Sequence, residues 1–456
     1  MKIKKIENLW VAANKLRGAF EITELHKVML YGLLFKYLEL KKEKFSSYDE
    51  KFSLGYLSLT YGKLIDSKGL LEYVSAVEKE FRIEEEFRIE EGVLRESFDS
   101  AIEKADAENV RIIFEEVNNL NFEDETEIYN IAKIILNRMI ASGGGRGSGE
   151  YCRAESLPKI AETLIEVEDD MSVYDACCGT GILVNSVANG KGRVFAQDIN
   201  VSIIGIAAIM TILSGNKIGA VKCADSLYNP IEQNEKYDRI ILEPPFGGRY
   251  SKEYIMNIPS DNCMYEHTSD SRYLFIRHAL ASLKDDGIAA ILVPMGALFS
   301  SGSTGSIRQK LVDDNYIEAI IEFPKNMLFP YASVATALVI LKKNKVNDDI
   351  IMINSKDFFM KIIKGFTITD ENVQRITEIY RNREVIEGVS NTITKEIAAE
   401  NGYNLCTTQY VTLKASEGIV VEDNRKFIEN YEELLQRLRN IDKELDEVRS
   451  RFVKEA

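Results

Sequence analysis

Proline is missing from both ends of this chain: all eight prolines lie between Pro158 and Pro330. Segments without proline can carry uninterrupted helices, so helical ends around a mixed, loop-rich middle are predicted. Histidine is scarce, and the three present (His26, His267 and His278) form no cluster; the six cysteines (152, 177, 178, 223, 263 and 406) show no Cys-x-x-Cys spacing. The adjacent Cys177 and Cys178 cannot easily form a normal disulfide or a tetrahedral metal site. Reduced, packing cysteines are expected, and zinc or histidine-triad chemistry has little support. No run of eighteen uncharged apolar residues appears, and the first eight residues, Met1 to Asn8, lack the apolar core of a signal peptide. The expectation is a cytoplasmic protein with no membrane contact. Net positive charge is lacking too: 57 Lys and Arg stand against 72 Asp and Glu, for a net charge of -15. A protein that held DNA alone would usually show a basic surface to neutralise phosphates, so a partner would be needed for that task.

What is present suits a globular protein of two or three domains: 456 residues, 45% of them apolar. The first segment carries Leu25, Val28, Met29, Tyr31, Leu33, Leu34, Tyr37 and Leu38 at helical spacing, which predicts a helical domain over residues 1–140. Within it, Phe81-Arg-Ile-Glu-Glu-Glu is echoed at once by Phe87-Arg-Ile-Glu-Glu, read here as a solvated helix face. A glycine-rich stretch, residues 141–149, reads as a linker or as a mobile cover for the domain that follows, over 150–415. At the other end, Phe427, Tyr431, Leu434, Leu438, Ile441, Leu445, Val448 and Phe452 alternate spacings of four and three, a heptad seam within a helix over 420–456. Such a seam needs a second helix, from this chain or from a partner subunit.

From Met171 onward, short apolar runs alternate with helical stretches. Strands are predicted at Val173–Ala176, Arg193–Gln197, Ala220–Ala224, Arg239–Leu242, Ile288–Val293, Ile317–Phe323 and Thr336–Leu341, and helices at Ser202–Leu213, Ser271–Leu283 and Ser306–Asp313. This alternation indicates an α/β class protein with a Rossmann-like, doubly wound and mostly parallel sheet, whose ligands bind at the carboxyl ends of the strands.

Two motifs fall at those ends. Tyr174-Asp175-Ala176-Cys177-Cys178-Gly179-Thr180-Gly181 follows the first strand, and its glycines let the backbone turn tightly beside a small molecule. An adenosyl cofactor needs such a turn, an acid for the ribose hydroxyls and a polar group for the adenine edge. Asp198 ends the second strand and Asp225 the third. A single acid after a strand is more often a helix cap or a turn former, but three in this order favour a cofactor site. A nicotinamide cofactor would want Gly-x-Gly-x-x-Gly, which Gly181 to Val184 does not supply. After the fourth strand comes Glu243-Pro244-Pro245-Phe246. The proline pair stiffens the loop and offers carbonyls without N–H donors, Glu243 can accept from an amine, and Phe246 can stack on an extruded base.

With these residues in view, the chain resembles the methylation subunit of type I restriction–modification systems, a family of N6-adenine DNA methyltransferases using S-adenosylmethionine. Leu9 to Gly18 resembles the opening of that family's helical domain, and Gly149-Glu150-Tyr151 the start of its Gly-[EQ]-[FY]-x-Thr-Pro motif. Asp175 to Gly181 matches Asp-x-x-Cys-Gly-Thr-Gly, and Ser271 to Pro294, Gly305 to Leu311 and Ile317 to Pro324 continue the similarity. The resemblance implies that Glu150, Tyr151, Asp175, Cys177, Gly179, Thr180, Gly181, Asp198 and Asp225 contact S-adenosylmethionine, and that Glu243, Pro244, Pro245 and Phe246 receive the adenine. It also implies a specificity subunit that reads the DNA, and leaves room for an endonuclease subunit and a second copy of this chain. The polar segment from Gly247 to Asp261 is then expected to close around DNA.

The chain departs from the pattern twice: Arg153-Ala154 replaces Thr-Pro, and Glu243 replaces the family's Asn. Glutamate is one methylene longer than Asn and carries a charge, and a misplacement of about 1 Å can cost on the order of 100-fold in rate. Three functions therefore stay open: an active methylation subunit, a catalytically impaired cofactor- or DNA-binding scaffold of a defence complex, and a methyltransferase acting on protein or RNA.

Overall fold

The computed structural model describes residues 7–16, 22–41, 53–54, 66–103, 106–141, 156–232, 234–265, 267–328, 334–362 and 365–411. The bulk of the glycine-rich stretch, Glu150, Tyr151, the Arg153-Ala154 departure and the C-terminal heptad seam lie outside the described residues. All described residues belong to one compact unit that runs to Val411.

Seven helices form the N-terminal portion among the described residues: α1 (Glu7–Lys15), α2 (Ile22–Leu40), α3 (Ser67–Glu80), α4 (Ile83–Phe87), α5 (Val93–Ile102), α6 (Ala107–Asn118) and α7 (Glu125–Ala141). Helix α2 is apolar nearly all round and buried accordingly. It packs on α5, α6 and α7, meeting α5 and α6 through Tyr31 against Phe98 and Phe35 against Phe114, the latter ring centroids 5.7 Å apart and edge-on. Gly32 permits the close α2–α6 approach, since a Cβ there would lie 3.1 Å from the Val117 side chain.

The repeated Phe-Arg-Ile segment departs from its sequence reading. Arg82 and Arg88 both adopt left-handed backbone at φ 49° and bound the short α4, so the two copies do not share a helix face. The second copy instead runs along a strand edge: Val221 donates its N–H to the Arg88 carbonyl and Glu90 donates to the Val221 carbonyl, both at 3.0 Å. Covering an edge in this way removes unpaired backbone groups from solvent.

Beyond α8 (Ser156–Ile165) the α/β portion begins with β1 (Ser172–Asp175), α9 (Ile182–Ala188), β2 (Arg193–Asp198), α10 (Val201–Ser214), β3 (Lys217–Cys223) and β4 (Tyr237–Leu242). It continues with α11 (Lys252–Met256), α12 (Ser271–Ser282), β5 (Leu283–Pro294), α13 (Ser303–Asp313), β6 (Ile317–Glu322), β7 (Thr336–Lys342) and β8 (Ile350–Asn354). The hairpin strands β9 (Phe359–Ile362) and β10 (Gly365–Ile368), then α14 (Asp370–Asn382), β11 (Ser390–Ile393) and α15 (Lys395–Glu400), complete it. All seven strands expected from the sequence are present, extended at several ends; β8 to β11 are additional.

The main sheet has nine strands in the order β11-β8-β6-β7-β5-β4-β1-β2-β3. Strands β3, β2, β1, β4 and β5 run parallel, β7 is antiparallel to β5 and β6, and β8 is parallel to β6. Strands β1, β2, β4 and β5 are mostly buried and carry apolar runs, as cover on two faces demands, whereas β3, at the edge of the sheet, is only partly buried. Helix α10 lies between the sheet and the N-terminal helices, and eleven of its fourteen residues are buried. Gly205 makes that layer possible: a Cβ would fall 2.2 Å from the Ser97 Cβ of α5. Lys27 donates to the Ser202 hydroxyl at 2.5 Å and Ser97 to the Ser202 carbonyl at 3.0 Å, tying the helical layer to the start of α10.

Candidate active site

Strand order fixes where a site forms. From β1 the chain winds outward to β2 and β3, then crosses back to place β4 on the other flank of β1. At such a switch point the connections leave in opposite directions and open a crevice at the carboxyl ends of the strands. Asp175 and Asp198 are the last residues of β1 and β2, Asp225 lies two beyond β3, and Glu243 follows β4 directly. Four stretches that are far apart in sequence thus end side by side, on strands spaced about 4.8 Å.

The β1 turn is built around carboxylates. Asp175 is 0% exposed and accepts the Cys177 N–H at 3.1 Å. Gly179 and Gly181 take φ values of 53° and 74°, the left-handed region where a side chain is strained. Gly181 is also required sterically, because a Cβ would lie 3.1 Å from the Ala207 Cα of α10. Gly179 donates its N–H to Asp198 Oδ2 and Asn200 donates to Oδ1, both at 2.9 Å, so the second acid is oriented by the first turn and by its own helix cap. Thr180 and Cys178 are buried and Cys177 is half-buried. Ile199, next to Asp198, is 69% exposed and presents an apolar surface at the crevice rim. Its exposure could not be read from sequence, where an isoleucine after a strand suggests core.

Asp225 accepts the Leu227 N–H at 3.0 Å and the Tyr254 hydroxyl at 2.6 Å. Burial, with the Asp225 charge beside it, pushes the Tyr254 pKa up, which keeps the hydroxyl a donor. Tyr250 stacks on Tyr254 at 4.5 Å between centroids, and Tyr228 meets it edge-on at 4.7 Å. The segment from Gly247 to Asp261, expected as a polar loop, therefore contains helix α11 and an aromatic pair folded onto the third acid. Below the crevice, Tyr174 lies 3.2 Å from both Gln197 Oε1 and His278 Nε2, and His278 Nδ1 lies 2.9 Å from the Asn262 carbonyl. Gln197 donates to the Ala224 and Asn229 carbonyls, so this buried network braces the loop that carries Asp225.

On the β4 side, Glu243 and Phe246 are half-buried and Phe246 packs against the core. Ser271, the first residue of α12, donates its hydroxyl to the Pro245 carbonyl at 2.6 Å and its N–H to the Gly248 carbonyl at 3.1 Å. Pro245's carbonyl is thus engaged, whereas no hydrogen bond among the described residues reaches that of Pro244.

The expected site residues among the described ones thus lie at or just after the carboxyl ends of four neighbouring strands, β1 to β4; Glu150 and Tyr151 lie outside the described residues. Ile199, Tyr250, Tyr254 and Ser271 were not anticipated as site residues. The arrangement provides acceptors for hydroxyl and amine donors on one flank and a proline loop with an aromatic ring on the other.

The chain belongs to the N-6 DNA Methylase family, whose model matches residues 127–418. S-adenosylmethionine is the methyl donor of these methyltransferases. The chain is 24% identical over 490 residues to the type I restriction enzyme MpnII methylase subunit of Mycoplasma pneumoniae, covering 90% of each. It is 27% identical to the type I restriction enzyme MjaVII methylase subunit of Methanocaldococcus jannaschii, over 66% of this chain and 55% of that protein. Its fold is similar to the crystal structure of the type I restriction–modification methyltransferase subunit from Streptococcus thermophilus, with a TM-score of 0.69, 22% identity, and coverage of 90% of this chain and 100% of that one.

The donor set fits S-adenosylmethionine. Ribose hydroxyls and an adenine amine are hydrogen-bond donors, and the crevice offers the carboxylates Asp198 and Asp225, each oxygen of which can accept more than one bond. The exposed face of Ile199 suits a planar ring, and the Gly179–Gly181 turn lets the backbone come close to the methionine portion. Among the described residues no group of three or more His, Cys, Asp or Glu could hold a metal ion.

Proposed function

We propose that this chain is the methylation subunit of a type I restriction–modification complex and transfers a methyl group to the N6 amine of an adenine turned out of the DNA helix. One observation carries the reading: Glu243-Pro244-Pro245-Phe246 leaves β4 directly beside the β1 turn and its acids, so an amine held at Glu243 faces the methyl donor's pocket. In this reading Asp198 holds the ribose hydroxyls, Asp225 the adenine edge of the donor, and the Asp175 turn the amino-acid portion. The bound donor supplies an electrophilic methyl on a sulfonium. Glu243 and the Pro244 carbonyl each accept one hydrogen of the target amine, which aims its lone pair toward that methyl. Ser271 fixes the proline loop through the Pro245 carbonyl, and Phe246 stacks on the base.

Sequence specificity and most phosphate neutralisation belong, on this account, to a specificity subunit, in keeping with the net charge of -15. The test is to assemble the chain with that partner and follow methyl transfer to cognate duplex. Transfer to adenine N6 that falls about 100-fold in Glu243→Ala supports the reading; tight binding of donor and DNA without transfer contradicts it. One residue favours a second reading, an impaired scaffold: Glu243 stands where the resemblance calls for Asn. That reading requires Glu243→Asn to raise transfer from nothing to measurable.

A further inference from the structure

Beside the proline loop lies a second, unassigned cavity of about 280 Å³, lined by Lys252, Ile255, Met256, His267, Thr268, Ser269 and Ser303. We propose that it binds a backbone phosphate of the DNA strand that carries the methylated base, an inference that rests on the DNA-methylating reading above. Its lining has two chemistries. Lys252 makes no ion pair among the described residues, and the Thr268 and Ser303 hydroxyls are 3.1 Å apart on the same wall, with His267 and Ser269 beside them. Ser303 opens the eleven-residue α13, whose N-cap, Gly302, has no side chain to cap the helix, so the positive end of the helix adds to the lysine. Asp270 adjoins this wall in sequence, and Arg272 neutralises it at 2.8 Å.

The other face is apolar: Ile255 is buried and Met256 is 59% exposed. A free anion gains nothing from that surface, whereas a nucleotide places a sugar against it and a phosphate against the hydroxyls and the lysine. Position argues the same way. Tyr250 donates to the Ser269 carbonyl at 3.0 Å, and Ser271, two residues on, grips Pro245. His267 and Ser271 are four positions apart, a span of at most ~14 Å, within reach of a nucleotide flanking the base held at Glu243. The cavity wall and the target loop are therefore hydrogen-bonded to each other, and a phosphate bound here would set the register of the strand at the proline loop.

The experiment measures binding of cognate duplex by the full chain assembled with its specificity partner, between 50 and 200 mM salt. Lys252→Gln is expected to weaken binding about 3- to 10-fold at low salt and to reduce the slope of log K against log salt by about 1. Ser303→Ala gives a smaller loss, and Lys191→Gln, at the amino ends of the strands, gives none. Affinity for S-adenosylmethionine stays unchanged in all three. Replacing phosphates one at a time with neutral methylphosphonate should reveal one position that weakens the wild type and leaves Lys252→Gln unaffected. An unchanged salt slope in Lys252→Gln, with wild-type DNA binding intact, overturns the proposal and leaves the methylating reading standing. Saturation of the cavity by millimolar inorganic phosphate with a flat methylphosphonate scan makes it a free-anion site and also overturns it. A wild-type complex that binds no DNA removes both.

Discussion

The two flanks of the crevice are held in different ways. On the donor side, Asp175, Asp198 and Asp225 each accept a backbone N–H from their own or a neighbouring turn, and the helix behind them is locked by Gly205 against the N-terminal layer. On the target side the loop from Pro245 to Arg249 is largely exposed, and a Cβ at Gly247 would meet nothing within 4 Å. Its main anchors are the two bonds from Ser271 and the pairing of Tyr250 with Ser269. A preorganised donor pocket lowers the ordering cost of binding a small cofactor. A loop with few anchors can adjust to a base that arrives attached to a polymer. On the proposed function, rigidity is divided between the two ligands according to their size.

Asp175→Ala should break the donor side most severely. Removing the buried carboxylate that closes the β1 turn is expected to weaken S-adenosylmethionine binding by more than about 100-fold, measured by calorimetry alongside thermal unfolding. A variant that binds normally would show that the turn does not depend on its acid. Glu243→Ala should break only the target side: methyl transfer falls about 100-fold while donor affinity stays within about threefold. Equal losses in both quantities would dissolve the distinction between the flanks.

Acid should loosen the donor side from beneath. Burial pushes the His278 pKa down from 6.5 to about 4, against the opposing hydrogen bond to the Asn262 carbonyl. The unfolded chain then binds this proton more readily than the folded one, so stability is fully present above pH 6.5 and is lost as pH falls toward 4. Between pH 7 and pH 5 the loss from this group is roughly 2 kcal/mol. Urea unfolding at the two pH values checks it, and His278→Gln should flatten the difference. The smallest effect is expected for Tyr254→Phe, which deprives Asp225 of one donor at 2.6 Å and should raise the dissociation constant for S-adenosylmethionine about 3- to 10-fold. No change there would mean that Asp225 is held by its own turn alone.

What could be read from sequence follows the same division. The central strands were legible because burial on both faces forces continuous apolar runs such as Ile288 to Val293 in β5. The glycines and acids of the donor side were legible because each answers a local backbone need at a strand end. Ser271 and Tyr254 were not, since their roles come from tertiary contacts 26 and 29 residues away in sequence. The second Phe-Arg-Ile copy misled for a related reason: its helical composition was overridden by an exposed strand edge that needed cover, and Glu90 from this copy accepts the Cys223 N–H at 2.9 Å. Strand β8 is as apolar as the central strands, with all five residues buried, but follows the charged stretch Lys342 to Asp349, which obscured it.

The proposed role of Glu243 is that of amine acceptor in a working adenine methyltransferase. The most direct measurement is a map of N6-methyladenine across the DNA of cells that express this chain with its specificity partner, beside an Asp175→Ala control. Methylation at one recurrent sequence, absent from the control, is the predicted result. Unmethylated DNA from cells in which the complex is stable and bound to its sites would contradict it.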